Sequence, residues 1–205
     1  MPNPNMTEAE PWALFDMDGT LCDFEKGLSK ELNYLKSLNE PEFHGHLSDD
    51  APEHIRARAD LIRADGSWWE NLEKFQLGWD VLSIAQELKF NIMILTQGPR
   101  RNPEAWAGKK RWIDKHLGPG TDLTITRNKG LMYGKILVDD FPKYVEQWLS
   151  WRDRGLVIMP ANESNIGYEH PQVIRYDGSN LDHVRRAMIL ARDRKAREEV
   201  DYKSA

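Results

Sequence analysis

The sequence predicts an α/β fold, in which a parallel sheet is covered by helices and carries a small helical cap. Two observations predict the sheet: short apolar runs rich in Val, Ile and Leu recur along the chain, and helical patterns separate most of them. A third observation predicts the cap. Between the first and second apolar runs lies a long interval with helical patterns and no convincing strand.

Six apolar runs predict strands, in chain order WALF (12–15), FNIMIL (90–95), LTIT (123–126), KILV (135–138), LVIM (156–159) and QVIR (172–175). The helices of the sheet region are expected at 80–89, 103–117, 142–154 and from Asn180 towards Glu199. Alternation of strand and helix favours a Rossmann-like core with helices on both faces of a parallel sheet.

Two helical patterns in the long interval, at 27–38 and 53–64, predict the cap. We expect residues 24–78 to form this cap over the carboxyl edge of the sheet, inserted after the first strand. Residues 1–23 and 79–205 then form the core.

Length, composition and charge limit the kinds of protein that this chain can be. With 205 residues and 40% hydrophobic content, the chain can bury a sizeable core. Its net charge of -5 indicates neither nucleic acid nor membrane as a partner, and basic residues near the C-terminus are interpreted as a solvated helix face. The single cysteine, Cys22, excludes an internal disulfide framework, and the N-terminus lacks signal-peptide features. We therefore expect a cytoplasmic protein; its assembly is left open, with a homodimer among the alternatives.

Polar residues follow the strands where each one ends. In open parallel sheets, ligands bind outside the carboxyl ends of the strands, so these positions are the informative ones. They are Asp16 and Asp18 after the first strand, Thr96 and Gln97 after the second, Lys129 near the third, and Asp139 and Asp140 after the fourth.

Four carboxylates at one edge would repel one another unless a cation neutralised them. An all-oxygen site of this kind suits Mg²⁺, with Asp16, Asp18, Asp139 and Asp140 as candidate ligands. Lys129, together with Thr96 and the turn that contains Gln97, would bind a phosphoryl group. Asp16 would attack phosphorus as the nucleophile, and Asp18 would protonate the leaving oxygen and later deprotonate water.

Simpler interpretations compete with this one. An EF-hand calcium loop needs a glutamate at its twelfth place, where this chain has Gly27, so that interpretation fails. Asp139 and Asp140 could merely cap the helix that begins near Pro142, and Lys129 alone would be read as a surface lysine. His44 and His46 lack a third ligand and are interpreted as a surface loop. The joint occurrence of the strand-end residues is what favours phosphate chemistry.

The motifs D-x-D-G-T at 16–20, Thr96, Lys129 and the acidic pair at 139–140 resemble those of the haloacid dehalogenase superfamily. The stretches DMDGTLCDFEKG, KKRWIDKHLGP (109–119) and LTITRNKGLMYGKILVDD (123–140) resemble the 5'(3')-deoxyribonucleotidase family more closely. The resemblance implies a magnesium-dependent phosphomonoesterase that acts on nucleoside monophosphates. It also implies Asp16, the backbone carbonyl of Asp18 and Asp140 as metal ligands, with Asp139 supporting them.

The same resemblance implies a cap whose aromatic residues enclose the base of the substrate. The matching residues here are Phe24, Trp68 and the adjacent Trp69, although Trp68 and Trp69 could equally fill a core. Two other functions stay open. One is a phosphatase acting on a sugar phosphate or another small phosphometabolite, and the other is a non-catalytic protein that binds phosphate and Mg²⁺.

Overall fold

The structure is a computed structural model, and it describes residues 10–195 and 198–205. The expectation about the N-terminus, and the part of the basic C-terminal stretch at residues 196–197, lie outside the described residues. The strands are β1 (Trp12–Phe15), β2 (Asn91–Thr96), β3 (Asp122–Ile125), β4 (Ile136–Val138), β5 (Leu156–Pro160) and β6 (Val173–Tyr176). The helices are α1 (Phe24–Tyr34), α2 (Glu53–Ala64), α3 (Gly66–Glu70), α4 (Gln76–Glu87), α5 (Pro103–Leu117), α6 (Pro142–Leu149) and α7 (Leu181–Asp193).

The six strands form one sheet in the order β3-β2-β1-β4-β5-β6, and every neighbouring pair is parallel. This topology confirms the predicted α/β, Rossmann-like core. The chain moves outward from β1 through β2 to β3 and then returns to lay β4 on the other side of β1. The reversal leaves a crevice between the ends of β1 and β4, which is where sheets of this kind bind their ligands.

Successive strand residues point to opposite faces of the sheet. Both faces are buried because helices pack against each of them. Ala13 and Phe15 of β1 pack into the cluster that also contains residues of α4, α5 and α7. Leu14 packs into a second cluster, with Val145 and Trp148 of α6. Apolar runs without polar alternation are what a sheet covered on both faces requires.

Local capping explains where several helices begin. The side chain of Asp23 accepts a hydrogen bond from the amide of Lys26, so α1 begins at Phe24 rather than at the predicted residue 27. Asn102 caps α5 in the same way, and Pro103 follows it at the first helical position. Every helix in residues 10–195 and 198–205 is too short or too polar to cross a membrane.

Other boundaries differ from the sequence prediction. Helix α1 ends at Tyr34 instead of 38, α6 at Leu149 instead of 154, and α7 at Asp193 rather than near Glu199. Helix α4 begins at Gln76, four residues before the predicted start. The sequence did not predict α3, because a five-residue helix is too short to display a hydrophobic period.

Helices α1 and α2 share a hydrophobic cluster of their own, formed by Leu28, Leu32, Ile55, Ala59 and Ile62. The adjacent α3 lies instead against α5 of the core. A Cβ atom added to Gly108 would lie 2.2 Å from the carbonyl oxygen of Gly66, so the two helices cross at a distance that only glycine permits. The division of the chain into a 24–78 cap and a core stays a prediction.

Candidate active site

Three buried carboxylates meet at the crevice between β1 and β4. Asp16 directly follows β1, and its amide donates to the carbonyl of Val138 at the end of β4 at 2.8 Å. Asp139 and Asp140 follow β4. One carboxylate oxygen from each of the three lies within 4.8 Å of the others, and all three side chains are buried. The strand register therefore brings together acids that are more than a hundred residues apart in the chain.

Lys129 supplies the positive charge nearest to this cluster. Its Nζ lies 2.9 Å from Oδ1 of Asp16 and 2.6 Å from Oδ2 of Asp139, and only 1% of the side chain is exposed. Burial lowers the pKa of Lys129, but the charges of Asp139 and Asp16 outweigh it and raise the pKa above its usual value. The lysine stays an ammonium and fixes two of the three acids.

The two acids after β4 differ in their surroundings. Both oxygens of Asp139 are engaged, because Oδ2 faces Lys129 and Oδ1 accepts from the amide of Phe141 at 3.0 Å. Asp140 lines a cavity, as Asp16 does, whereas Asp139 is fully buried behind them. Of the three clustered acids, Asp16 and Asp140 are thus the two available to a ligand in the cavity.

Neutral side chains position Asp140. The Thr20 hydroxyl donates to Oδ1 of Asp140 at 3.1 Å, and the side-chain amide of Asn162 donates to Oδ2 at 2.6 Å. Asn165 donates to its backbone carbonyl at 2.9 Å. Gly19, with a φ of 72°, permits the close approach, because a Cβ there would lie 2.4 Å from Oδ2 of Asp140.

The cluster fits a divalent metal ion by the chemistry of its donors. Three carboxylates face one ammonium, so the group carries excess negative charge in a buried place. Burial and the charges of Asp139 and Asp16 raise the pKa of Asp140 well above its ordinary value, which a bound cation would reverse. Oxygen ligands of this kind suit hard cations.

Lys109 is a site residue that the sequence analysis missed. Its Nζ contacts Oδ2 of Asp18 and donates to the Thr96 hydroxyl at 3.0 Å and to the carbonyl of Gln97 at 2.9 Å. The side chain is fully buried. Its signal was present in the sequence, since Lys109 lies on the stripe of α5 that also holds Ala105 and Trp112. A lysine on a buried helical stripe needs a partner, and here Asp18 is that partner.

Asp18 lies outside the cluster of three acids and faces the cavity. Burial raises the pKa of Asp18, while the charge of Lys109 opposes the rise. The two aspartates of the D-x-D motif therefore have separate ammonium partners, Lys129 for Asp16 and Lys109 for Asp18. Separate partners give two neighbouring acids different environments, which is a condition for different chemical roles.

The residues predicted to bind phosphate lie at the same edge. The Thr96 side chain is fully buried at the end of β2, where its hydroxyl accepts from Lys109. Gln97 lines the cavity, and its side chain contacts the hydroxyl of Tyr144, another residue of the lining. Thr96 and Gln97 at the end of β2, and Lys129 after β3, thus lie at the edge that holds the carboxylates, from two segments of the chain.

The cavity has a volume of about 370 Å³ and is lined by residues that follow the strands and by residues of the 24–78 segment. A volume of this size is within the range of small-molecule sites. Of the three predicted aromatic residues, Phe24 and Trp69 line it, with ring centroids 5.6 Å apart. Trp68 faces a second cavity beside Gly27 and Leu72, because neighbouring helical residues project in different directions. Glu25, His46 and Arg63 of the same segment also line the cavity, and no sequence pattern predicted them there.

Comparison with known proteins gives concordant similarities. A family model described as 5' nucleotidase, deoxy (pyrimidine), cytosolic type C protein matches residues 11–176. The human 5'(3')-deoxyribonucleotidase, cytosolic type, is 31% identical over 141 residues, which cover 62% of this chain and 69% of that protein. A candidate 5'(3')-deoxyribonucleotidase of Vibrio phage KVP40 is 27% identical over 139 residues, covering 65% of this chain and 68% of that protein.

Solved structures share the fold. A candidate haloacid dehalogenase-like hydrolase from Burkholderia xenovorans LB400 superposes with a TM-score of 0.51 at 15% identity, over 84% of this chain and 95% of that one. A candidate phosphatase from Clostridium difficile gives a TM-score of 0.51 at 16% identity, over 87% of this chain and 100% of that one. At these identities the likeness concerns the fold alone.

Proposed function

Because the chain belongs to the 5' nucleotidase, deoxy (pyrimidine), cytosolic type C family, we propose that it hydrolyses nucleoside monophosphates through an aspartyl-phosphate on Asp16, with Mg²⁺ as cofactor. Family membership makes it a phosphoric monoester hydrolase of the haloacid dehalogenase superfamily. One observation carries the mechanism: at the crevice between β1 and β4, Asp16 and Asp18 face a single cavity, each with its own buried lysine.

The two aspartates divide the reaction between them. A carboxylate oxygen of Asp16 attacks phosphorus, and the bond from phosphorus to the nucleoside oxygen breaks. Asp18 gives its proton to the departing oxygen. Asp18 then takes a proton from water, whose oxygen attacks the aspartyl-phosphate, so that inorganic phosphate leaves and Asp16 is restored.

The other groups bind and orient the substrate. Asp16, Asp140 and the backbone carbonyl of Asp18 would hold Mg²⁺, with Asp139 behind them, and the ion would reduce repulsion between the nucleophile and the phosphate. Thr96, Gln97 and Lys129 would bind the phosphoryl oxygens. Phe24 and Trp69 would pack against the base, since flat rings suit its faces. Trp68 would support these two rings by edge contacts at 5.5 and 4.8 Å.

The proposal also covers the role of the cap and the cellular location of the enzyme. Residues 24–78 would act as the cap that encloses the substrate, because α1 and α3 carry Phe24 and Trp69 into the cavity. We place the enzyme in the cytoplasm, in agreement with the cytosolic human relative. A homodimer stays a prediction.

A substrate panel tests the proposal. We expect the purified protein with Mg²⁺ to hydrolyse nucleoside monophosphates at least about tenfold faster, in kcat/KM, than sugar phosphates, since tenfold corresponds to about 1.4 kcal/mol of selective binding. We expect EDTA to abolish the activity and added Mg²⁺ to restore it. Preference for a sugar phosphate would contradict the proposed substrate, and binding of phosphate without any turnover would indicate a non-catalytic protein.

Replacing Lys109 tests its role beside Asp18. We expect Lys109→Met to lower kcat for a nucleotide by about 10- to 100-fold, because the general acid loses its positioning partner. In the first turnover, a smaller loss is expected for release of p-nitrophenol from p-nitrophenyl phosphate, because that leaving group needs no proton. The attack by water, which also uses Asp18, should slow with either substrate. The matched control is Lys110→Met, since Lys110 is the next residue but is 43% exposed and pairs with Asp114. Equal losses of first-turnover release with both substrates, or equal losses in the two variants, would contradict a positioning role.

A further inference from the structure

The cap contributes a polar pair to the cavity that the proposed chemistry does not use. Nδ1 of His46 lies 2.9 Å from Oε1 of Glu25, and both residues line the cavity that contains Asp16. Glu25 directly follows Phe24 in the first turn of α1, so the pair stands beside an aromatic wall of the cavity.

The segment that carries His46 is anchored to the cap. Asn33 of α1 exchanges two hydrogen bonds with the backbone of Phe43, at 2.9 and 2.7 Å, and the Phe43 ring packs against the cap's hydrophobic cluster. Arg58 of α2 donates to both carboxylate oxygens of Glu40 at 3.0 Å. Side chains of two helices therefore fix the loop, which otherwise lacks regular structure.

The same segment meets the core at Gly45. This residue has a φ of 75°, and a Cβ there would lie 2.3 Å from Oε2 of Glu163. Ser164, the next core residue, lines the cavity together with His46. His46 thus lies at the edge of the cavity, where the loop contacts the core.

The pair has a defined hydrogen-bonding character. An ionised carboxylate only accepts hydrogen bonds, so the N–H at Nδ1 of His46 donates a hydrogen bond to Glu25. In the neutral ring Nε2 is then an acceptor, and the second oxygen of Glu25 is another. This part of the cavity wall complements a hydrogen-bond donor.

We propose that His46, oriented by Glu25, is a specificity-determining residue that accepts a hydrogen bond from a donor on the substrate remote from the phosphate, either a sugar hydroxyl or a ring N–H of the base. This inference rests on the proposed function and deepens it. The aromatic walls select a flat group, and His46 adds the requirement for a donor at the cavity wall.

The test compares two histidines of one loop. We expect His46→Ala to reduce kcat/KM for deoxyuridine monophosphate by about five- to tenfold, the range of one lost hydrogen bond. The loss on p-nitrophenyl phosphate should stay below about twofold, because its leaving group has no donor. His44→Ala is the control, since His44 is 77% exposed and its Nε2 lies 3.7 Å from Oε2 of Glu42.

Substrate analogues identify the donor. The 3'-deoxy analogue and the N3-methyl analogue of deoxyuridine monophosphate each remove one donor. The analogue that lacks the recognised donor should be a poorer substrate for the wild-type enzyme and should lose nothing more in His46→Ala. Glu25→Ala should shift the same substrate preference, and its effect should not add to that of His46→Ala.

The possible results distinguish a failure of the role of His46 from a failure of the proposed function. A loss in His46→Ala that matches His44→Ala, or that is as large on p-nitrophenyl phosphate, would overturn this inference alone. A wild-type enzyme that hydrolyses no nucleotide would overturn the proposed function and this inference with it.

Discussion

Asp16→Asn is expected to reduce phosphatase turnover by at least about 10⁴-fold, because it removes the proposed nucleophile and leaves an amide that does not attack phosphorus at a useful rate. The substitution is nearly isosteric. An amide oxygen at this position still accepts from Lys129, whose other partner, Asp139, is unchanged. The fold should survive, so the loss should appear in kcat with the melting temperature close to that of the wild type.

Two measurements make this expectation specific. The wild-type enzyme, quenched in acid during turnover with labelled substrate, should retain label on the protein, and the Asp16→Asn variant should retain none. Asp153→Asn is the control, because Asp153 is exposed and its loss should leave the rate unchanged. Turnover of Asp16→Asn within tenfold of the wild type, or label on that variant, would remove Asp16 from its assigned role.

The core of the site was predictable because the strands that carry it have a strong signal. Asp16 and Asp139 each follow an apolar run that is buried on both faces, and parallel strands end at one edge. The sequence therefore placed both acids at that edge without knowing the strand order. The order itself, with β4 beside β1, depends on packing between elements distant in the chain, which no local pattern encodes.

The cavity residues of the 24–78 segment and the partners of the acids were harder to predict for a physical reason. His46 reaches the cavity through a loop held by Asn33 and Arg58, and such contacts follow no period in the sequence. Trp68 and Trp69 are adjacent, so only the orientation of the short α3 decides that Trp69 rather than Trp68 lines the cavity. Lys109 is a different case. It lies on a buried helical stripe, so its position could have been recognised from the sequence, but a search for hydrophobic periodicity counts apolar residues and passes over a lysine.

Asp18→Asn is expected to slow nucleotide turnover by about 10²- to 10⁴-fold, the range for a lost general acid and base. Asp18 differs from Asp16 in its setting, because it pairs with Lys109 and its side chain is 26% exposed to the cavity. The variant keeps the nucleophile, so the first chemical step stays possible wherever the leaving group needs no proton. The second step, attack by water, loses its base with every substrate.

This asymmetry predicts a burst. With p-nitrophenyl phosphate, Asp18→Asn should release about one equivalent of p-nitrophenol per active site rapidly and then turn over slowly, as the aspartyl-phosphate on Asp16 accumulates. With a nucleotide the same variant should show no burst, because the nucleoside oxygen cannot leave without a proton. Stopped-flow absorbance measures both cases. Nucleotide turnover at the wild-type rate, or an equal loss in both steps without any burst, would mean that Asp18 does not transfer the proton and that its pairing with Lys109 serves only the structure.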